Sequence, residues 1–201
     1  MLAVAGGKGG VGKTTTAIGL AVALVRRRRN PVLVDADADM PNVHLVTGVD
    51  GDGVDRLAAG AALGAATETA DQFDGIEVLG ARPGAPVERA LRGMVTDRPV
   101  ILDSPAGASP DAVLPLRMAD EAIVVTTPEP EAVQDAVKSA RIARSVGTTV
   151  VAWVVNRTGR VSESVRQAAG DVPVIPVPST DSPPFDARGP FDEALTCWVN
   201  A

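Results

Sequence analysis

The chain has 201 residues, a net charge of -6, 45% hydrophobic side chains and a single cysteine. This length suits one well-buried domain, residues 1–201, and the acid excess argues against broad attraction to nucleic acid or anionic lipid. One thiol excludes an intramolecular disulfide and a thiolate metal cluster, and no apolar run approaches the ~18 residues that span a bilayer, so the expected setting is a reduced cytoplasm.

Leu2 to Ala5 is an apolar run of strand length, and Thr14 to Val25 carries Ala17, Ile18, Ala21, Val22 and Val25 at helical spacing. Between them Gly7 to Thr15 reads Gly-Lys-Gly-Gly-Val-Gly-Lys-Thr-Thr, the P-loop spacing. Glycines let successive backbone N–H groups turn into one concavity, and the following helix adds the positive end of its dipole. The stretch Gly7, Lys8, Gly9, Gly10, Val11, Gly12, Lys13, Thr14 and Thr15 is therefore the expected phosphate cradle. Lys13 is expected to reach the β- and γ-phosphates and Thr14 to ligate magnesium, which makes ATP or ADP with Mg²⁺ the expected ligands.

Three lysines accompany sixteen arginines, and Lys8 and Lys13 both fall in this loop, where a compact ammonium fits among phosphate oxygens better than a planar fork. Lys8 to Thr15 resembles the signature Lys-Gly-Gly-x-Gly-Lys-Thr-Thr of the deviant Walker A ATPases, the MinD/ParA family, at every fixed position. The resemblance implies an α/β fold of the P-loop NTPase type, a mostly parallel sheet with helices on both faces in three layers. It also implies that Lys8 reaches the nucleotide of a partner subunit across a dimer interface.

Arg26 to Arg29 close the first helix, where cations complement the dipole and are ordinarily solvated; an anionic partner surface is the alternative. Pro31 to Val34 is the second strand and delivers Asp35-Ala36-Asp37-Ala38-Asp39-Met40-Pro41-Asn42 beyond its carboxyl end, where ligands of parallel sheets sit. In the resembled family the matching stretch is Asp-x-Asp before a switch segment. Asp35 is then similar to the carboxylate near the metal's water shell, and Asp37 to the residue that orients the hydrolytic water. Val43 to Val46 reads as a short buried turn. Residues 50–75 are expected to form a surface loop with one weak helix, followed by a strand over Ile76 to Leu79 and a helix over Pro86 to Val95.

Pro99 to Leu102 is an apolar run closed by Asp103, the Walker B arrangement in which the carboxylate orients magnesium or its waters. Thr14, Asp35, Asp37 and Asp103 form the expected metal set, and Lys8, Lys13 and Asp37 the expected catalytic set. Helices over Asp111 to Met118 and Glu131 to Ser145 flank a strand over Glu121 to Thr126. Thr148 to Val155 is a strand ended by Asn156-Arg157. An amide offers one donor and one acceptor to a purine edge, so Asn156 suits adenine selection, although turn formation alone also favours Asn. By resemblance Asn156 and Arg157 contact the base, and Ile175 to Ser179, with Pro178, line it. The final edge strand is expected over Val172 to Val177 and a last helix near Phe191 to Val199, packed on the core because its acids would be repelled by anionic lipid.

The match to the family is weakest at 50–75 and 182–201. The function implied is a MinD-like ATPase that forms a homodimer on ATP and hydrolyses it as a switch for spatial positioning, with a regulatory or cargo protein as partner. The alternatives are an ATP-dependent scaffold with negligible turnover unless a partner is present, and a ParA-like DNA-partitioning ATPase, which the net charge disfavours. A metabolic enzyme on the same scaffold would need a second substrate pocket, of which the sequence carries no sign.

Overall fold

Strands buried on both faces read as continuous apolar runs, and β1 (Leu2–Gly6) is such a run, fully buried. In the computed structural model, which describes residues 1–180, 185 and 188–198, β1 sits inside an eight-stranded sheet. The further strands are β2 (Val32–Asp35), β3 (Glu68–Thr69), β4 (Glu77–Leu79), β5 (Val100–Ala106), β6 (Glu121–Thr126), β7 (Thr149–Asn156) and β8 (Val174–Val177). Their order is β3-β4-β2-β5-β1-β6-β7-β8, parallel except for the antiparallel β3–β4 pair. The chain leaves β1 for β2 on one side and later continues through β6 on the other, so the carboxyl end of β1 opens on a switch point, where α/β sheets bind ligands.

Side chains alternate across the sheet. Leu2 and Val4 pack toward α1 (Lys13–Arg26) and α9 (Arg188–Thr196). Ala3 and Ala5 belong to the opposite layer, formed with α3 (Gly53–Ala58), α5 (Val87–Gly93), α6 (Pro110–Met118), α7 (Pro130–Ser145) and α8 (Glu163–Ala169). The inner stripe of α7 is Ala132, Ala136, Ala140 and Ala143, with Val133, Val137 and Ile142 half-buried beside it. Small side chains let this helix lie close to the sheet.

Several expectations are corrected. Val43 to Val46 is part of a short helix, α2 (Val43–Thr47), that buries Val43 and Thr47 and exposes Leu45. Residues 50–75 hold two short helices, α3 and α4 (Leu63–Ala66), and the edge strand β3, where one weak helix was expected. An ion pair of Arg56 with Asp52 at 3.1 Å, and Arg56 to Glu68, tie this segment together. The α8 helix is an addition to the expected elements, and Ser162 caps it, accepting from the Val165 N–H at 3.4 Å. The expected loop after Ser182 and the helix end at Val199 lie outside the described residues. Among the described residues no helix is long and apolar enough to cross a membrane.

The last helix packs on the core as expected, with Phe191, Ala194, Leu195 and Trp198 buried. Part of the arginine run holds it there: Arg26 and Arg27 pair with Asp192 at 3.4 and 3.7 Å, and Arg27 donates to the Asp192 carbonyl at 2.7 Å. The Phe191 ring lies on Gly19 of α1, where an added Cβ would overlap it. In a free helix Gly→Ala stabilises by about 1 kcal/mol. Here Gly19→Ala is expected to lower stability by about 1–3 kcal/mol through overpacking, with partial recovery when Phe191→Leu is added. Chemical denaturation of the two variants checks this, and a gain in the single variant would contradict the contact.

Candidate functional site

The site forms where β1, β2 and β5 end. Register pairs Val4 with Asp103 and Asp35 with Asp103, so two strand-end carboxylates lie side by side next to the strand that feeds the loop. Gly12 caps α1 with φ +92°, a left-handed conformation that glycine adopts without strain. A Cβ there would also strike the Asn156 amide.

Two adjoining cavities meet at this loop. One, about 330 Å³, is lined by the backbone of Gly9, Gly10 and Gly12, by Lys13, Thr14 and Thr15, and by Asp37, Met40 and Asn42. The other, about 260 Å³, is lined by Val11, Gly12, Thr15, Asn156, Arg157 and residues 177–180, Pro178 among them. Arg157 faces both and donates to the Gly10 carbonyl at 2.7 Å. The first cavity offers the polar, loop-lined shape a polyphosphate needs, and the second a slot continuous with it. Their combined form fits a nucleotide.

The hydroxyl of Thr14 lies 2.6 Å from Asp103 Oδ2 and 2.9 Å from Asn42 Oδ1. Asp103 is buried, and its other oxygen, Oδ1, has no hydrogen-bond partner among the described residues. A hydroxyl and an orphaned carboxylate oxygen are hard donors of the kind Mg²⁺ prefers. No group of three or more His, Cys, Asp or Glu side chains among the described residues is arranged to hold a metal ion by itself. The donors present therefore fit a magnesium that takes most of its shell from phosphate and water.

Burial pushes Asp103 up to about 7, offset in part by the Thr14 hydrogen bond, and Asp35 adds to the rise. Burial likewise raises Asp35 to about 6, against the N–H groups of Val43, Asp37 and Asn42 that bond its oxygens at 3.0, 3.2 and 2.9 Å. Asp35 is thus committed to folding the segment after β2, and it sits behind the donor pair of Thr14 and Asp103. Asp37 lines the first cavity and accepts from the N–H groups of Asp39 and Met40 at 3.2 and 2.9 Å, which fixes the turn. Desolvation lowers Lys13, and the charges of Asp103 and Asp37 hold it up. An ammonium this poorly solvated is ready for an anion.

The structure brings Gly9, Gly10, Gly12, Lys13, Thr14, Thr15 and Asp37 to one cavity and Val11, Asn156, Arg157 and Pro178 to the next. Asp103, bonded to Thr14, and Asp35 beside it line neither cavity, and two further expected residues stand apart. Gly7 packs against the backbone of α7 at Asp135, and Lys8 is half-exposed, paired with Glu131 at 3.3 Å outside both cavities. Asn156 spends its Nδ2 on the loop itself, donating to the Val11 carbonyl at 2.8 Å with Gly12 O and Thr16 Oγ1 each at 3.3 Å. Of its two amide ends, only Oδ1 remains for a base. Asn42 and Met40 are the residues that sequence reasoning left without a role. Their position directly after Asp-x-Asp on the same strand end is the signal that would have found them.

Comparison with known proteins agrees with this geometry. An uncharacterized ATP-binding protein of Methanocaldococcus jannaschii is 33% identical over 199 residues, which cover 90% of this chain and 74% of that protein. The septum site-determining protein MinD of Escherichia coli is 32% identical over 150 residues, covering 67% of this chain and 55% of MinD. The chain thus spans about half to three quarters of the length of these relatives. Among solved structures, the septum site-determining protein MinD from Pyrococcus horikoshii, complexed with Mg-ADP, superposes with a TM-score of 0.80 at 27% identity, over 98% of this chain and 92% of that one. A cobyrinic acid a,c-diamide synthase from Mycobacterium smegmatis shares the fold, with a TM-score of 0.76 at 24% identity, over 97% of this chain and 93% of that one. The family model described as the CobQ/CobB/MinD/ParA nucleotide binding domain matches residues 2–181, and the chain belongs to that family, on its MinD/ParA side.

Proposed function

We propose that the chain binds ATP with magnesium, pairs with a second copy across the nucleotide face, and hydrolyses ATP as a switch for spatial positioning in the cytoplasm, at a division site or in related cellular organisation. The observation that carries the dimer is Lys8, which stands outside the phosphate cavity of its own chain on a half-exposed side chain. Its bond to Glu131 is a surface pair, of the sort worth about 0.2–1 kcal/mol, and is readily exchanged for a phosphate. Met40 and Leu45, 73% and 72% exposed, add apolar surface near the site that a partner would cover.

In this reading Lys13 neutralises the phosphates and Asp37 orients the attacking water. Thr14 and Asp103, with Asp35 behind them, would hold magnesium, which when bound neutralises charge on the β- and γ-oxygens. Lys8 of the partner subunit supplies a further charge as the bond to the γ-phosphoryl group breaks. A regulatory or cargo protein then reads the paired state. The relatives named MinD support the positioning role, and the bound Mg-ADP of the P. horikoshii protein supports the ligand.

Size measurement by light scattering tests this directly. Asp37→Ala is expected to be a monomer with ADP and a dimer with ATP and Mg²⁺. Lys8→Ala is expected to keep ATP binding yet lose the dimer and at least ~10²-fold in turnover, part of what a charge supplied in trans contributes. A monomer under both conditions, or full turnover in Lys8→Ala, overturns the dimer. Phosphate release with and without DNA or candidate proteins separates this enzyme from a scaffold of negligible turnover and from a DNA-partitioning ATPase.

A further inference from the structure

On the other side of the segment that carries Asp37 lies a third cavity of about 500 Å³, larger than either of the two at the loop. Its floor is apolar and made of small side chains, Ala36, Ala38 and Ala85, closed by Leu114 of α6. Alanines at these three positions leave depth that larger residues would fill, and the volume falls in the usual range for small-ligand sites.

The walls carry charge of both signs. Glu88 and Arg92, on one turn of α5, satisfy each other through bonds of 3.0 and 2.7 Å and present no net charge. Arg89 of α5 and Asp111 of α6 also line the cavity and are exposed. Neither has an ion pair or side-chain hydrogen bond to a described residue, and they do not pair with each other. A cation and an anion that form no ion pair within the described residues, Asp111 lying in the first turn of α6, line one apolar floor and are complementary to a ligand with a carboxylate, an ammonium and an apolar body between or beside them. A plain fatty acid would leave Asp111 without a partner, and a plain amine would leave Arg89 so.

We propose that this cavity is a second ligand site, for a small amphipathic zwitterion of the size of an aliphatic amino acid, whose occupancy is felt by the Asp37 segment. Ala36 and Ala38, the floor residues, bracket Asp37 in the chain. The Ala38 carbonyl accepts from the Gly84 N–H at 2.8 Å, which ties that segment to the loop leading to Ala85 on the same floor. A ligand seated there touches both neighbours of a residue lining the phosphate cavity. Coupling is reciprocal, so nucleotide must alter zwitterion affinity by the same factor that the zwitterion alters nucleotide affinity.

The test uses the full chain without nucleotide and follows the amide resonances of Ala36, Ala38 and Ala85 during titration with L-leucine and L-norleucine, with hexanoate and hexylamine as single-charge controls. Saturable shifts are expected for the amino acids, about tenfold weaker binding for either control, and a similar loss in Arg89→Ala and in Asp111→Ala, both surface changes. Ala85→Leu, which fills the floor, is expected to abolish the shifts. No saturable shift for either amino acid up to roughly 10 mM, about tenfold above a millimolar dissociation constant, overturns the proposal. Equal binding of the controls, or unchanged binding in both charge variants, overturns it as well. The coupling rests on the proposed ATP site and is measured separately, as a change of at least twofold in ADP affinity with saturating L-norleucine. Unchanged ADP affinity overturns the coupling alone, and failure of the titration in a protein that still binds ADP leaves the nucleotide reading intact.

Discussion

Lys13→Ala is expected to lower ATP affinity by about 10²–10³-fold. A charge-assisted hydrogen bond to an ionised oxygen contributes about 1.5–3 kcal/mol, and Lys13 is expected to serve two phosphates, so a loss of roughly 3–4 kcal/mol converts to that ratio. Burial adds to it. The Lys13 ammonium is held below its ordinary range by desolvation, with Asp103 and Asp37 opposing the shift, so much of the cost of burying a cation is present before nucleotide arrives. Arginine is a poor substitute, because a planar fork does not fit where a point charge on a flexible stem does. Calorimetric titration with ATP and Mg²⁺ checks the value. Affinity within threefold of the unaltered protein would mean that Lys13 does not face the phosphates.

Asp103→Asn is expected to make the nucleotide-free protein more stable at pH 8 while abolishing magnesium-dependent nucleotide binding. The folded protein holds Asp103 at about 7, above the ordinary carboxylate value of 3.8. Between these values the folded state keeps a proton that the unfolded state has released. Stability therefore falls as pH rises through this window, by up to about 1.4 kcal/mol per unit, and levels off above the folded value. Asp35, raised to about 6, contributes in the same direction over a narrower window. The neutral variant removes the larger slope and is expected to exceed the unaltered protein by about 2–4 kcal/mol at pH 8, the gap closing toward pH 4. Thermal unfolding in a chelator from pH 5 to 8 measures it. Lower stability of Asp103→Asn at pH 8 would show that the buried charge is compensated in the folded state. The buried Oδ1 without a hydrogen-bond partner is a stability cost at the position where, in the proposed reading, magnesium would sit.

The residues of the phosphate loop were legible because their pattern is local. Glycine spacing, Lys13 and Thr14 lie within nine consecutive positions, and the apolar runs on either side announce a strand and a helix. Asp35 and Asp103 were legible for a related reason, since each closes a buried strand, and parallel strands carry their last residues to one edge. The reading was poorest where elements are short. Between residues 50 and 75 the helices run four to six residues, rich in alanine and glycine, and are held by the Arg56 ion pairs more than by their own propensity.

Sequence by itself therefore determined the class of fold and the residues of the candidate site: a mostly parallel α/β sheet, a turn with P-loop spacing, two strand-end carboxylates, and a family signature in Lys8 to Thr15. Tertiary structure decided what depends on which strands are neighbours. The order β2-β5-β1-β6-β7 sets Asp35 beside Asp103 and brings Asn156, some 145 positions away, to hold the Val11 carbonyl. It sends Lys8 outward to Glu131, lays Phe191 on Gly19, and opens the third cavity behind Asp37. Local spacing prescribes the direction of a strand and the turn that follows it. Contacts between distant residues follow from the order of the sheet and the packing of small side chains upon it, which no single stretch of the chain encodes.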